Sequence, residues 1–191
     1  MVKPPLLLSE NLHILQALGH NLRLAAAFVR TAIATVLFSG YAPVAPGTAG
    51  TAVIAVAYYL FGDDLGSATW GVLLAVTFGI AVYTAGSMAR AVGVAQGKEE
   101  AKDPGVVVID EAIGFLVTVA ALPHGFWTVV AGFFLFRLLD IVKPPPCRWL
   151  EKLPGGWGIV LDDVFAGLYG QLILRLLIAC TGFADVVTPD P

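Results

Sequence analysis

Five carboxylates stand inside otherwise apolar stretches of this sequence. Asp110 and Glu111 begin one stretch, Asp140 ends a second, and Asp162 and Asp163 begin a third. A charged group costs about 2.5–3.5 kcal/mol at the centre of a membrane helix. Carboxylates gathered at one depth would also repel one another unless a cation lies among them. Because all the ligands would be hard oxygens, the pattern predicts a divalent-metal site that suits Mg²⁺.

A simpler alternative explains the two acid pairs without a metal. Acidic residues in the first turn of a helix are favoured by the helix dipole, so each pair could be an ordinary helix-start charge. Asp140 does not fit that explanation, because it lies at the C-terminal end of its stretch, where a negative charge is disfavoured. The two acid pairs taken together with Asp140 therefore favour the metal site over ordinary helix-start charges.

Basic residues accompany Asp140 at helical spacing. Arg137, Asp140 and Lys143 follow one another at intervals of three, which places them on one face of a helix. Arg137 and Lys143 could hold phosphate oxygens, since arginine offers two parallel donors and lysine a point charge. The alternatives are a structural ladder of ion pairs and a lysine that extends to the membrane interface.

A loop rich in glycine and proline, SGYAPVAPGTAGT (39–51), lies between two apolar segments. Such a loop can present backbone N–H groups and the hydroxyls of Thr48 and Thr51 at a helix N-terminus, where an anion binds well. We therefore include Gly47, Thr48 and Thr51 among the candidate phosphate-binding residues. A tight turn between two membrane helices is the commoner explanation of a loop of this composition.

The elements that position these residues belong to a membrane protein. Of 191 residues, 58% are hydrophobic and 13% are charged, whereas an average soluble domain is about 25% charged. Mean hydropathy is +0.82. This composition excludes a soluble globule and a disordered chain. The net charge of -3 gives no bulk attraction to nucleic acid, so no nucleic-acid partner is expected.

The apolar stretches predict a small all-α polytopic membrane bundle of four to five transmembrane helices. The predicted crossings are 68–88, 106–122, 126–142, 159–183 and a short one at 47–61. The segment 21–38 carries Arg23 and Arg30, so it is interpreted as an interfacial amphipathic helix rather than a crossing. The chain would thus divide into an N-terminal interfacial helical extension, 1–35, and a membrane domain, 36–185.

Basic residues alternate between the connections. The connections at 62–67 and 123–125 contain no Lys or Arg, whereas those at 89–105 and 143–158 each contain three. By the positive-inside rule, the N-terminus and the two basic connections face the cytoplasm. With this topology, all five carboxylates come to one level, near the headgroups of the inner leaflet.

Four segments carry a resemblance to a known family. SGYAPVAPGTAGT (39–51), VIDEAIGF (108–115), FRLLDIVKPPPCRW (136–149) and GGWGIVLDDVFAG (155–167) occur in the order and with spacing similar to those of the phosphatidylglycerophosphatase A family. The likeness covers about residues 36–178. It leaves the N-terminal extension and the C-terminal tail outside, and the acidic and basic motif positions show no departure.

The resemblance implies a Mg²⁺-dependent phosphatase of the bacterial inner membrane, multi-pass, with its active site facing the cytoplasm. Its substrate would be phosphatidylglycerophosphate, a phospholipid in the bilayer, and its products phosphatidylglycerol and phosphate. The acidic motif positions, implied to be catalytic and metal-binding, are Asp110, Glu111, Asp140, Asp162 and Asp163. The basic ones are Arg137 and Lys143, which would bind the phosphate.

Several alternatives stay open at this point. The attacking group could be a water activated by the metal or an aspartate, and the sequence fixes neither the number of metal ions nor the oligomeric state. A CDP-alcohol phospholipid transferase also uses acids and Mg²⁺, but its long motif beginning with Asp-Gly is not found here. A small transporter would need polar residues near the middle of the bilayer.

Overall fold

Seven α-helices, with a short 3₁₀ helix at Ser39–Tyr41, make up the regular structure of residues 6–62, 65–99, 101 and 104–181, which a computed structural model describes. They are α1 (Leu6–Ala34), α2 (Pro46–Phe61), α3 (Ser67–Ala95), α4 (Ile109–Val119), α5 (Phe126–Val142), α6 (Cys147–Leu150) and α7 (Gly156–Thr181). Every regular element in these residues is helical, so the predicted all-α class is confirmed. Residues 1–5 and 182–185 of the predicted units lie outside the described residues.

Within the part of the chain that the structure describes, two helices are long and apolar enough to cross a membrane. They are α3, with 29 residues, and the 25-residue part Gly156–Cys180 of α7. The helix α2 is apolar but has 16 residues. The predicted crossing 106–122 contains a helix of 11 residues, α4, which spans about 16 Å and is too short to cross about 30 Å of hydrocarbon alone.

The N-terminal segment differs from its predicted form. A single helix, α1, extends from Leu6 to Ala34, so the helix is longer than expected and ends four residues before Phe38. The chain then turns through Val36, Leu37 and Phe38, which all have positive φ. The predicted boundary between residues 35 and 36 lies within this turn.

The helices α2, α3, α4, α5 and α7 run in alternating directions between two ends of the bundle. At one end, the amide of Val108, just before α4, donates to the carbonyl of Ala34, and the amide of Ala101 donates to that of Ala89. We call this the acidic end; α2, α4 and α7 begin there, and α3 and α5 finish there. At the opposite end, the far end, Arg175 of α7 reaches the carbonyl of Ala120.

The short helix α4 occupies the centre of the bundle, with most of its residues buried. Its closest neighbour is α7, and glycines allow the two backbones to approach. A Cβ placed on Gly167 of α7 would overlap the carbonyl oxygen of Gly114 and lie 3.1 Å from the Cβ of Val117. Because this contact fixes α4 against α7, it also fixes the acids at the start of α4 relative to those of α7.

Candidate active site

One of the two acid pairs lies deeper in its helix than predicted. The helix α4 begins at Ile109, so Asp110 and Glu111 are in its first turn, at the start of their stretch. The helix α7 begins at Gly156, which places Asp162 and Asp163 about two turns from its start rather than in its first turn. Their side chains are accordingly enclosed: Asp162 is 4% and Asp163 3% exposed.

Three of the predicted acids converge tightly. Asp110 and Glu111 of α4 and Asp163 of α7 each offer a carboxylate oxygen, and these three oxygens lie within 4.8 Å of one another. The carboxyl group of Asp140 lies against that of Asp163. Like charges this close in a poorly solvated place repel strongly, so the cluster suits a divalent cation with oxygen ligands.

Arg137 connects α5 to this cluster. Its Nη1 lies 2.8 Å from Oδ2 of Asp140, one turn further along α5, and 3.8 Å from Oε1 of Glu111. The predicted i, i+3 pair of Arg137 and Asp140 is thus present. Asp140 offsets the guanidinium charge and holds it beside α4, which explains why an acid stands at the C-terminal end of α5.

Lys143 does not continue that pairing to Asp140. It ends α5 with a φ of 49°, in the left-handed region, and its Nζ lies 2.6 Å from Oδ2 of Asp162 on α7 and 3.9 Å from Oε2 of Glu151. Burial lowers the pKa of Lys143, but the hydrogen bond and charge of Asp162, with Asp163 and Glu151, outweigh it and raise the pKa above its ordinary value. The ammonium group therefore stays charged.

The glycine-rich loop reaches the cluster through one residue. Gly47, in the first turn of α2, is buried; a Cβ placed there would overlap Oε1 of Glu111 and lie 3.2 Å from Nη1 of Arg137. Thr51 is fully buried, and its hydroxyl donates to the carbonyl of Gly47 at 2.8 Å. The hydroxyl of Thr51 is thus used within the first turn of α2, while Thr48, at the start of that helix, is partly exposed.

A cavity of about 520 Å³ opens at this place. The predicted residues on its wall are Asp110, Glu111, Asp140, Lys143, Asp162 and Asp163. All five acids, from three helices, therefore line one cavity. Arg137 stands behind Glu111 and Asp140, and neither Thr48 nor Thr51 lies on the wall.

Two further charged residues line the cavity that sequence reasoning did not include. Glu151 and Lys152 follow α6, in the connection between α5 and α7. Their position after a run of three prolines and a cysteine gives no helical register from which to place them. The usable signal was the high charge of this connection next to two motif segments.

Two of the acids, Glu111 and Asp162, each have a buried carboxylate oxygen without a hydrogen-bond partner among the described residues. These oxygens are Oε2 of Glu111 and Oδ1 of Asp162. Leaving a buried carboxylate oxygen without a hydrogen bond costs more free energy than leaving a neutral oxygen without one. Such oxygens are therefore expected where a bound cation or ligand contacts them. The donor set is hard oxygen throughout, which matches Mg²⁺ or a similar cation.

Comparison with known proteins agrees with this geometry. The family model described as phosphatidylglycerophosphatase A matches residues 32–178. The chain belongs to the phosphatidylglycerophosphatase A family. The match includes the acidic end with all five carboxylates and leaves out most of α1, so the family assignment covers the whole candidate site.

Individual relatives carry two different names. A phosphatidylglycerophosphatase A of Escherichia coli is 36% identical over 73% of this chain and 77% of its own length. One of Haemophilus influenzae is 33% identical, over 71% and 80%. A Bacteroides thetaiotaomicron protein, provisionally named a phosphatidylinositol-3-phosphatase, is 34% identical, over 78% and 93%. No solved structure matches the chain.

Family membership makes the chain an enzyme, a phosphatase that acts as a hydrolase. Phosphatidylglycerophosphate is the lipid substrate of the phosphatidylglycerophosphatase A family. The two apolar helices α3 and α7 are consistent with a membrane protein. A cavity of carboxylates flanked by an arginine and a lysine is the place where a phosphomonoester and a divalent cation can meet.

Proposed function

We propose that this chain hydrolyses the terminal phosphomonoester of phosphatidylglycerophosphate in a Mg²⁺-dependent reaction, releasing phosphatidylglycerol and phosphate. The observation that carries the proposal is the convergence of Asp110, Glu111 and Asp163 within 4.8 Å on a cavity that Lys143 also lines. Family membership supports the reaction class.

Asp110, Glu111 and Asp163 are the residues that would hold Mg²⁺, with Asp140 and Asp162 adjacent. When bound, Mg²⁺ would withdraw charge from phosphate oxygens and make a water more acidic. The fit rests on the oxygen ligands that the acids offer and on the buried Oε2 of Glu111, which accepts no hydrogen bond from any described residue. Five carboxylates against Arg137 and Lys143 leave an excess of negative charge, which a divalent cation would offset.

The chain's own residues would do the rest. Lys143 lines the cavity and would bind one phosphate oxygen, and Arg137 would offset the charge that grows on the others. Gly47 keeps the start of α2 close to that phosphate, with Thr48 and Thr51 on the same turn. Asp140 positions Arg137, and Asp162 positions Lys143. Water would attack phosphorus in line as the bond to the glycerol oxygen breaks, and that oxygen would take up a proton.

The membrane placement is part of this proposal. The connections at the acidic end contain Lys98, Lys143, Arg148 and Lys152, whereas residues 62–67 and 120–125 at the far end contain no Lys or Arg. By the positive-inside rule the acidic end faces the cytoplasm of a bacterial inner membrane, at the level of the headgroups. The helices α3 and α7 would cross it, α2, α4 and α5 would complete a multi-pass bundle, and α1 would lie at the interface.

The deciding experiment measures phosphate release from phosphatidylglycerophosphate in detergent micelles. Wild type and Asp163→Asn are assayed with Mg²⁺ and with EDTA, and the exposed acid variant Glu99→Gln is the matched control. Release should require Mg²⁺, collapse in Asp163→Asn and persist in Glu99→Gln. Release from phosphatidylinositol 3-phosphate at a higher rate would transfer the proposal to that headgroup, as the Bacteroides relative's name suggests.

The attacking group is tested separately. Rapid acid quenching of the enzyme with labelled substrate should trap no phosphoenzyme, in wild type or in any single carboxylate variant. A trapped phosphoaspartate would replace water by an aspartate as the attacking group. Failure of the folded protein to release phosphate from any lipid phosphate would remove the phosphatase proposal and favour a transporter or a transferase.

A further inference from the structure

A groove of about 270 Å³ separates α2 from α5 on the outside of the bundle, away from the acidic cavity. Apolar side chains form its walls, among them Val56 and Tyr59 of α2 and Phe126, Phe133 and Phe134 of α5. Ala52 and Ala55 leave space between the two helices. Several of these large side chains are exposed: Val56 is 57% and Phe134 67% exposed.

The helical register connects this groove to the active site. On α5, Phe126, Val130 and Phe133 follow one another at intervals of four and three, and Arg137 is four residues beyond Phe133. Residues three or four apart lie on one helix face, so Arg137 continues the stripe that forms the groove. The groove wall therefore leads along α5 directly to a cation of the site.

The facing helix repeats the pattern. On α2, Tyr59, Ala55 and Ala52 form a stripe at intervals of four and three, and Thr48 is four residues before Ala52. Gly47, beside Thr48, meets Arg137 and Glu111 closely enough that a Cβ would lie 3.2 Å from Nη1 of the arginine. Both walls of the groove thus end at polar residues that border the acid cluster.

We propose that this groove holds an acyl chain of the lipid whose phosphate binds in the acidic cavity. The inference rests on the proposed function and adds to it a chain-binding subsite. From Arg137 to Phe126, the far limit of the groove on α5, is eleven residues or about 16 Å, close to half the thickness of a hydrocarbon core of about 30 Å. An acyl chain in one leaflet has this direction and environment, with its headgroup towards the acidic end.

The test fills the groove and compares two substrates. Ala52→Phe puts a ring between the helices, and Ala75→Phe, at an exposed alanine of α3, is the matched control. The substrates are dioleoyl phosphatidylglycerophosphate and its fully deacylated headgroup, which has no chain to bind. Ala52→Phe should raise KM for the dioleoyl lipid about tenfold, the loss expected from about two methylenes that no longer bind. It should leave kcat/KM for the headgroup unchanged.

A second measurement uses the wild-type enzyme and so does not depend on the folding of a variant. Phosphatidylglycerophosphate with a diazirine in one acyl chain is photolysed on the protein, and the labelled peptides are identified by mass spectrometry. The label should be found within α2 and α5, at residues of the groove. Labelling concentrated on α3 or α7 would overturn the inference.

Other results distinguish this inference from the proposed function. If Ala52→Phe lost activity equally towards both substrates, or changed activity towards neither, the proposed chain subsite would be overturned. The phosphatase proposal would be unaffected. A change in oligomeric mass in Ala52→Phe, measured by light scattering in detergent, would assign the groove to contact between copies of the chain instead. Absence of phosphate release from either substrate by wild type would mean that the phosphatase proposal itself had failed.

Discussion

The two ends of the bundle differ in whether their polar groups are hydrogen-bonded within the protein. At the far end, the carbonyl of Ala120, where α4 finishes, accepts a hydrogen bond from Gln171 at 2.8 Å and another from Arg175 at 3.2 Å. Nε2 of His124 lies 3.0 Å from the carbonyl of Tyr58. At the acidic end, by contrast, Glu111 and Asp162 each retain a buried oxygen that accepts no hydrogen bond within the described residues.

The polar groups of the far end form hydrogen bonds within the protein and stabilise the fold, whereas those of the acidic end are suited to bind a ligand. The guanidinium of Arg175 at the far end is turned towards the backbone carbonyls of Ala120 and Ala121. The acidic end instead buries carboxylate oxygens of Glu111 and Asp162 that accept no hydrogen bond from the described residues. Burial without pairing is unfavourable for folding alone, so the acidic end has the composition of a site completed by a cation and a phosphate.

Removing one carboxylate from the cluster should have the largest effect. Asp163→Asn keeps the shape of the side chain but deletes one charged ligand at the point where α4 and α7 meet. We expect kcat to fall about 10³-fold, the upper range for losing one electrostatic contact in an active site. Phosphate release under saturating Mg²⁺ measures it, and retention of more than a tenth of the activity would exclude Asp163 from the site.

The second-largest effect is expected from adding a single methyl group at Gly47 in the glycine-rich loop. In Gly47→Ala, the new Cβ would overlap Oε1 of Glu111, so the carboxylate and Arg137 must move. Displacement of positioned groups should lower kcat/KM about 10²-fold. Gly19→Ala is the control, because a Cβ there meets no atom within 4 Å. Normal activity in Gly47→Ala would show that the loop does not position the cluster.

Lys143 allows charge and backbone strain to be separated. Lys143→Ala and Lys143→Gly both delete the ammonium that pairs with Asp162, so both should lose activity by about 10–100-fold. Only glycine relieves the left-handed φ of 49°, so Lys143→Gly should unfold at the higher temperature, with about 1 kcal/mol of additional stability. Thermal unfolding in detergent compares the two variants, and equal stability would contradict the strain.

A substitution at the far end should lower the stability of the protein and leave its activity unchanged. Arg175→Met removes two hydrogen bonds, to the carbonyls of Ala120 and Ala121, from an exposed side chain. We expect a loss of about 1 kcal/mol in the free energy of unfolding and an unchanged kcat. A fall in kcat larger than about threefold, with the protein still folded, would mean that the two ends are coupled, and the contrast between them would fail.

Because helical rules act locally, the sequence was sufficient to predict that five carboxylates gather at one end, but not that Glu151 and Lys152 join them. The apolar stretches identify the helices, and the strict alternation of basic connections orders their ends. Those two facts bring five carboxylates from α4, α5 and α7 to one end, and the structure places all five on one cavity. The pairing of Arg137 with Asp140 also follows from spacing within one helix.

The contacts between helices could not be obtained in this way. Helical spacing predicted Lys143 beside Asp140, yet the chain leaves the helix at Lys143 and the ammonium turns to Asp162 of α7. Glu151 and Lys152 likewise come to the cavity through a connection that has no periodicity. A pattern within one helix fixes which face a residue lies on, but it does not fix which neighbour that face meets.

What the sequence by itself determined is therefore a list of charged residues, the helices that carry them and the end at which they gather. What only the tertiary structure decided is the distance between them. Gly114 and Gly167 let α4 and α7 touch, and Gly47 lets α2 approach Glu111. These approaches depend on the absence of a side chain at three points on separate helices, and only their packing against one another turns acids at a common depth into a cluster within 4.8 Å.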